Sequence, residues 1–370
     1  MIVRRVVSAA GLAWLVLALA CGSTPSAPPP CTPGGTDLSY VEGDPLPTLS
    51  AYCMVSVQNA QIVPLSTDVV PYAPSSTLFS DYAIKTRTVW VPKGTSIAFT
   101  DKTVLDLPVG SIVTKSFGLP ADLRKPEPVK WVETRLLIRQ KSGWRPISYV
   151  WDDDQKEAHI RPGGLTRDVS FVKADGTSVT SSYLVPNQNQ CKKCHGDGES
   201  NVVGPIGLRV DRLNAPFSYA TGSENQLAHL AKVGVLTGAP PPDQVKVMPS
   251  WSDPNVAIDV RARAYLDANC GHCHSDTGEA RTTGLHLDFG ETDPYRLGTC
   301  KSPVAAGPGS GTFLYDVFPG KPEQSIMIFR MKATEPQVAM PEIGRSLVHD
   351  EGVDLVTKWI AGLSGDCVTK

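Results

Sequence analysis

Apolar positions change their spacing three times along this 370-residue chain. Val6 to Ala20 is a short, largely apolar run behind Arg4 and Arg5. It is too short for a comfortable membrane span and is placed like the core of an export signal. Ser23 to Gly35 is rich in Pro, Ser, Thr and Gly, a tether composition that cannot bury a core. From about Leu49 to Tyr183 short β-branched and aromatic runs recur. They include Thr86 to Pro92, Val132 to Arg139 and Ile147 to Trp151, punctuated by Lys93-Gly94, Val109-Gly110, Ser142-Gly143 and Asp175-Gly176. From Val185 onward the spacing turns helical. Glu224 to Val235, behind Ser223, carries Leu227, Leu230 and Val233 on one side. Ala257 to Asn269 and Asp350 to Leu363 are two further helix candidates. The pattern predicts a multidomain chain: signal peptide at 1–20, tether at 21–48, an N-terminal all-β, sandwich-like domain at 49–184, then mostly α-helical domains at 185–252 and 253–370.

The apolar run ends in Ala18-Leu19-Ala20-Cys21-Gly22. Small residues before a cysteine fit a bacterial lipoprotein cleavage site with Cys21 lipidated, although Ala18 stands where Leu is usual. Gly22 rather than Asp after the cysteine favours the outer membrane, with the protein facing the periplasm. An ordinary cleaved signal, leaving a soluble periplasmic or cell-surface protein, is the alternative.

Two pentapeptides change the picture most: Cys191-Lys192-Lys193-Cys194-His195 and Cys270-Gly271-His272-Cys273-His274. Each is a C-x-x-C-H, the attachment signal of c-type haem. Two thiols at that spacing reach the two vinyl groups of one porphyrin, and the next histidine becomes the proximal iron ligand. The chain is therefore expected to carry two covalently bound haem c groups on Cys191, Cys194, Cys270 and Cys273, with His195 and His274 as proximal ligands. A four-cysteine zinc site is the alternative, but it leaves both trailing histidines unused.

The order helix, C-x-x-C-H, long loop, Met-Pro, helix over 253–370 is that of a class I cytochrome c. Met340, before Pro341, is the expected sixth ligand of the second haem, with Met327 and Met331 as rivals in a run that reads as core. Met248-Pro249 repeats the dipeptide after the first motif and makes Met248 the expected partner of His195, with His229 or an open site as alternatives. No helix is expected before Cys191. The Pro205 carbonyl is placed to accept the His195 imidazole N–H. His159, His272, His286 and His349 are read as non-ligands.

Composition adds limits. Four of the nine cysteines remain after haem and lipid: Cys31, Cys53, Cys300 and Cys367. An even number in an oxidising compartment suggests the pairs Cys31–Cys53 and Cys300–Cys367, with free buried thiols as the alternative. A formal charge of −2 gives no reason to invoke nucleic acid. Glu133 with Arg135, and Asp152-Asp153-Asp154, read as structural or solvated rather than catalytic.

Leu78-Phe79-Ser80-Asp81-Tyr82-Ala83 with Lys85 and Arg87, Asn225-Gln226-Leu227, Arg261 to Leu266 leading to Asn269-Cys270, and Met340-Pro341-Glu342-Ile343-Gly344 together resemble a largely uncharacterised family of exported bacterial di-haem c-type cytochromes. The resemblance implies haem binding, electron transfer with periplasmic redox proteins as partners, and no substrate. Di-haem cytochrome c peroxidases share the two motifs, but their motifs stand further apart and no such β region precedes them. The expected function is electron transfer. A peroxidase-type haem enzyme with one open iron site, or a β-domain docking subunit for a separate dehydrogenase, are the alternatives.

Overall fold

The computed structural model describes residues 31–101, 104–198, 202–304 and 306–367. The expected signal peptide and the expected lipid anchor at Cys21 lie outside them. Among the described residues no helix is long and apolar enough to cross a membrane.

The β-branched segment after residue 70 builds one eight-stranded sheet. Its strands are β1 (Val70–Pro71), β2 (Ile84–Trp90), β3 (Ile112–Asp122), β4 (Lys125–Gln140), β5 (Gly143–Trp151), β6 (Ala158–Ile160), β7 (Leu165–Val172) and β8 (Ser178–Val185). β1 to β6 neighbour one another in chain order and antiparallel. The β7–β8 hairpin joins the far end of β3 through Val172 and Asp122. The β3–β4 register slips between Phe117 and Gly118. Only glycine fits there, because a Cβ would lie 2.5 Å from Val129 and 2.8 Å from the Trp131 ring.

Both faces of the sheet are covered, so its central strands do not alternate cleanly between apolar and polar. Trp90, Ile112, Leu136, Tyr149 and Trp151 pack on Tyr40, Tyr52 and Met54 of the preceding segment. On the opposite face Val89 and Val113 meet Leu208, Leu213, Leu227 and Leu236. Phe117, Val132 and Val150 pack with Phe171 and Tyr183.

The expected fold class needs correction. A β-rich N-terminal part is present: besides the eight-stranded sheet, the hairpin of Val55–Gln58 with Gln61–Pro64 packs on one of its faces. The C-terminal half is not mostly α: strands make up 27% of the structure, helices 21%, and the six α-helices are short. They are α1 (Gln188–His195), α2 (Val210–Leu213), α3 (Gln226–Lys232), α4 (Ile258–Leu266), α5 (Ile326–Lys332) and α6 (Asp350–Ala361). Competing local structure shortens them. The helix predicted from Glu224 begins only at Gln226, because Gly222–Asn225 pairs as a strand with Pro216–Tyr219. α4 gives way to a wider turn over Asp267–Gly271. Between helices, Gly and Pro commit the chain to turns.

Residues 32–367 pack as one unit. Ser75 to Asp81 stitches the sheet to the helical half. Ser75 Oγ donates to the Met248 carbonyl (2.6 Å) and Ser76 Oγ to that of Pro249 (2.8 Å). The Phe79 N–H donates to Asn269 Oδ1 at 2.7 Å. The Asp81 carboxylate accepts from the N–H groups of Ser346 (2.7 Å) and Leu347 (2.8 Å). Cys300 and Cys367 form a disulfide across 67 residues, and Cys31 and Cys53 are each disulfide-bonded.

Candidate functional site

The first C-x-x-C-H is itself helical, contrary to the extended run expected before Cys191. Asn187 caps α1: its side chain accepts from the Gln190 N–H while the Gln190 side chain accepts from the Asn187 N–H, both at 2.9 Å. This reciprocal cap is legible as Asn-x-x-Gln. α1 ends at His195, whose Nδ1 lies 2.8 Å from the Gly204 carbonyl oxygen. The acceptor is thus one residue before the expected Pro205. It holds Nδ1–H as donor and leaves Nε2 as the free lone pair.

The second motif follows α4. Asp267, fully buried, anchors the turn by pairing with Arg209 (3.3 Å) and Arg212 and accepting the Phe289 N–H (2.7 Å). Asn269 Nδ2 donates to the Tyr265 carbonyl. The two motifs abut. Cys194 Sγ, Cys273 Sγ and a His272 ring nitrogen all lie within 4.8 Å of one another.

Both motifs border one cavity of about 160 Å³. Cys191, Cys194 and His195 line it from one side, and Cys270 and His272 from the other. Met340, Met331 and His349 close the C-terminal side. Cys273, His274 and Met248 are not part of the lining. Met248 is fully buried and its N–H donates to the Asp211 carbonyl at 2.8 Å. His229 is engaged elsewhere, paired with Glu224 at 2.9 Å and stacked on Tyr219. Of the methionine candidates, the structure brings Met340 and Met331 to the cavity and Met248 not.

His349, read from the sequence as a non-ligand, does not lie at the surface. It is buried, its Nδ1 lies 3.0 Å from the Tyr265 hydroxyl, and it stacks on Phe79. Its acidic neighbours Asp350 and Glu351 gave the segment a surface character in the sequence.

Burial sets the protonation of the site. It pushes the Cys191 thiol up to about 11 and that of Cys270 to about 12. It lowers the pKa of both His195 and His274 to about 4, so each imidazole is neutral, the state a metal ligand requires. Cys194 is held below the usual thiol range by the hydrogen bond from Cys273, with His272 adding to it.

The charged residues lining the cavity are all cations: Arg87, Lys115, Arg135, Arg212 and Arg345. Glu133, fully buried, pairs with Arg135 at 2.5 Å and accepts the Tyr183 hydroxyl at 2.8 Å. Arg212 pairs with Asp267. Arg345 is consumed by backbone carbonyls, donating to Met340 and Ala333 at 2.8 Å each. The Met340 N–H in turn donates to the Arg330 carbonyl at 3.0 Å, which fixes the loop that carries the thioether. The cationic wall went unread in the sequence. Its members Arg87, Lys115 and Arg135 stand in three different strands, so no local pattern marks it. No known protein family, characterised protein or solved structure matches this chain.

Proposed function

We propose that the chain is an exported di-haem c-type cytochrome that carries electrons between periplasmic redox proteins, tethered through Cys21. One observation carries this reading: two C-x-x-C-H segments far apart in the chain converge on a single cavity that also receives Met340. In this reading Cys191 and Cys194 hold one porphyrin and Cys270 and Cys273 the other, with His195 and His274 as proximal ligands. Met340 is the sixth ligand at the second iron. Haem, when bound, supplies reversible one-electron exchange. The protein's part is to keep His195 neutral through burial and orient it through the Gly204 carbonyl. Arg345 fixes the Met340 loop, and apolar walls including Leu137, Leu184 and Ile147 exclude water. The contact between Cys194 and Cys273 makes the two attachment points neighbours, which favours exchange within one chain.

A second reading has one observation in its favour. Cys194, Cys273 and His272 could bind zinc with three ligands. It leaves Cys191, Cys270 and Met340 idle and faces a dication with a wall of cations.

Covalent cofactor content separates the two. The haem reading expects two haems per mature chain that survive acid–acetone extraction; stoichiometric zinc without haem overturns it. Met340→Ala should open one iron to carbon monoxide, whereas Met331→Ala should not. A high-spin iron with peroxide turnover in the unmodified protein would replace the carrier with a peroxidase-type enzyme.

A further inference from the structure

Three of the cavity's cations sit on one rung of the sheet. In register, Arg87 of β2 lies opposite Lys115 of β3, and Lys115 lies opposite Arg135 of β4. Like charges directly opposite across strands destabilise a sheet, and here there are two such pairs in a row. The next rung offers one acid, Glu133, between Phe117 and Val150, and Arg135 already takes it.

Arg87 and Lys115 are left over. Arg87 is 7% exposed, and its side chain makes no hydrogen bond or ion pair among the described residues. Lys115 makes none either; its ammonium rests 4.9 Å from the Phe117 ring. Both side chains border the cavity rather than solvent at large. Burial, with Arg87, Lys85 and Arg135 nearby, holds Lys115 well below the usual lysine range. An unpaired buried charge is costly, and a row of them is stable only beside an anion. The anion must fit inside the cavity that both motifs border, and it is the first motif that lies beside the cations: the Lys115 charge reaches His195 and that of Arg135 reaches Cys191.

We propose that Arg87 and Lys115 form a carboxylate-binding floor for the propionate groups of the haem attached at Cys191 and Cys194. Guanidinium takes a carboxylate through two parallel N–H donors, and ammonium takes one as a point charge. The sheet is then one wall of the haem cage rather than a docking module set beside it. This inference rests on the haem reading, and its test keeps the two apart.

The test uses the full-length holoprotein, with Arg87→Gln, Arg87→Lys and Lys115→Gln variants. Covalent haem is counted first, by the pyridine haemochrome of extracted protein. No covalent haem in the unmodified protein defeats the haem reading itself. With haem content intact, Arg87→Gln and Lys115→Gln should each lower the midpoint potential of one haem, because an uncompensated carboxylate favours the ferric state. The same variants should shift the propionate bending modes in resonance Raman spectra, and Arg87→Lys should recover part of the potential. The haem on Cys270 and Cys273 serves as internal control. Lys115 is only half-buried, so Lys115→Gln carries the test if Arg87→Gln does not accumulate. Full haem content with unmoved potentials and propionate modes overturns the inference, since solution anions would then neutralise the rung.

Discussion

Arg345 holds the carbonyl oxygen of Met340 with two donors of one guanidinium, Nη2 at 2.8 Å and Nε at 3.2 Å. The same Nη2 reaches the Ala333 carbonyl at 2.8 Å. One planar fork thus closes the loop that presents the proposed sixth ligand. Lysine has the charge but not the fork. Arg345→Lys should leave covalent haem content unchanged while weakening the near-infrared band of methionine-ligated low-spin iron and admitting carbon monoxide. An unaltered absorption spectrum would show that the loop is held by other contacts.

Asp81 secures the other end of that loop from the sheet side. It is 3% exposed, its backbone φ is +48°, and it accepts from two N–H groups, Ser346 and Leu347. Asparagine tolerates this left-handed conformation and keeps one acceptor oxygen; alanine does neither. Each buried donor left unsatisfied costs about 1–3 kcal/mol. Asp81→Ala should therefore lower denaturant stability by several kcal/mol, and Asp81→Asn by clearly less. Equal losses in the two variants would point to the carboxylate charge beside Arg345 and Lys85 rather than to the hydrogen bonds or the backbone conformation.

What the sequence revealed was local. Cys191 to His195 and Cys270 to His274 are legible because the two thiols and the histidine of each stand within five residues. α4 and α6 are legible because Tyr265, Leu266, Val353, Val356 and Ile360 recur at helical spacing over a shared core. The cationic floor is different in kind. Arg87, Lys115 and Arg135 lie in three strands, and only the pairing register aligns them. Met340 and Met248 sit in identical dipeptides, so the local pattern could not tell which reaches the cavity. Fold class failed for a related reason: whether strands 70–185 face a second sheet or the helical half depends on contacts such as Val113 with Leu213, far apart in sequence.

Where α4 crosses α6, Gly352 lies directly against the Tyr265 ring, and a Cβ there would overlap the ring and its hydroxyl. Gly352→Ala should destabilise the protein by about 1–3 kcal/mol, the usual cost of overpacking a filled core. It should also displace the Tyr265 hydroxyl from His349. Tyr265→Leu in the Gly352→Ala background should recover part of the loss, because it removes the hydroxyl and the ring carbons that collide. Thermal unfolding of the single and double variants measures this. Strictly additive losses would mean that the helices separate without strain at this crossing.

His349 gives the protein an acid-sensitive window with a defined sign. Burial lowers its pKa from 6.5 to about 4, against the opposing attraction of Glu351. The unfolded chain binds this proton near pH 6.5, whereas the folded protein binds it only near pH 4. Between those values the unfolded state holds more protons, so stability falls as pH falls and the effect levels off below the folded value. Above pH 6.5 the group contributes no slope. His195 and His274, also lowered by burial, act with the same sign unless iron holds them. In the haem-loaded protein His349→Gln should flatten the profile over this window, because Gln does not titrate. Denaturant midpoints measured across the window for both proteins check this, and parallel profiles would show that His349 is not buried in its neutral form.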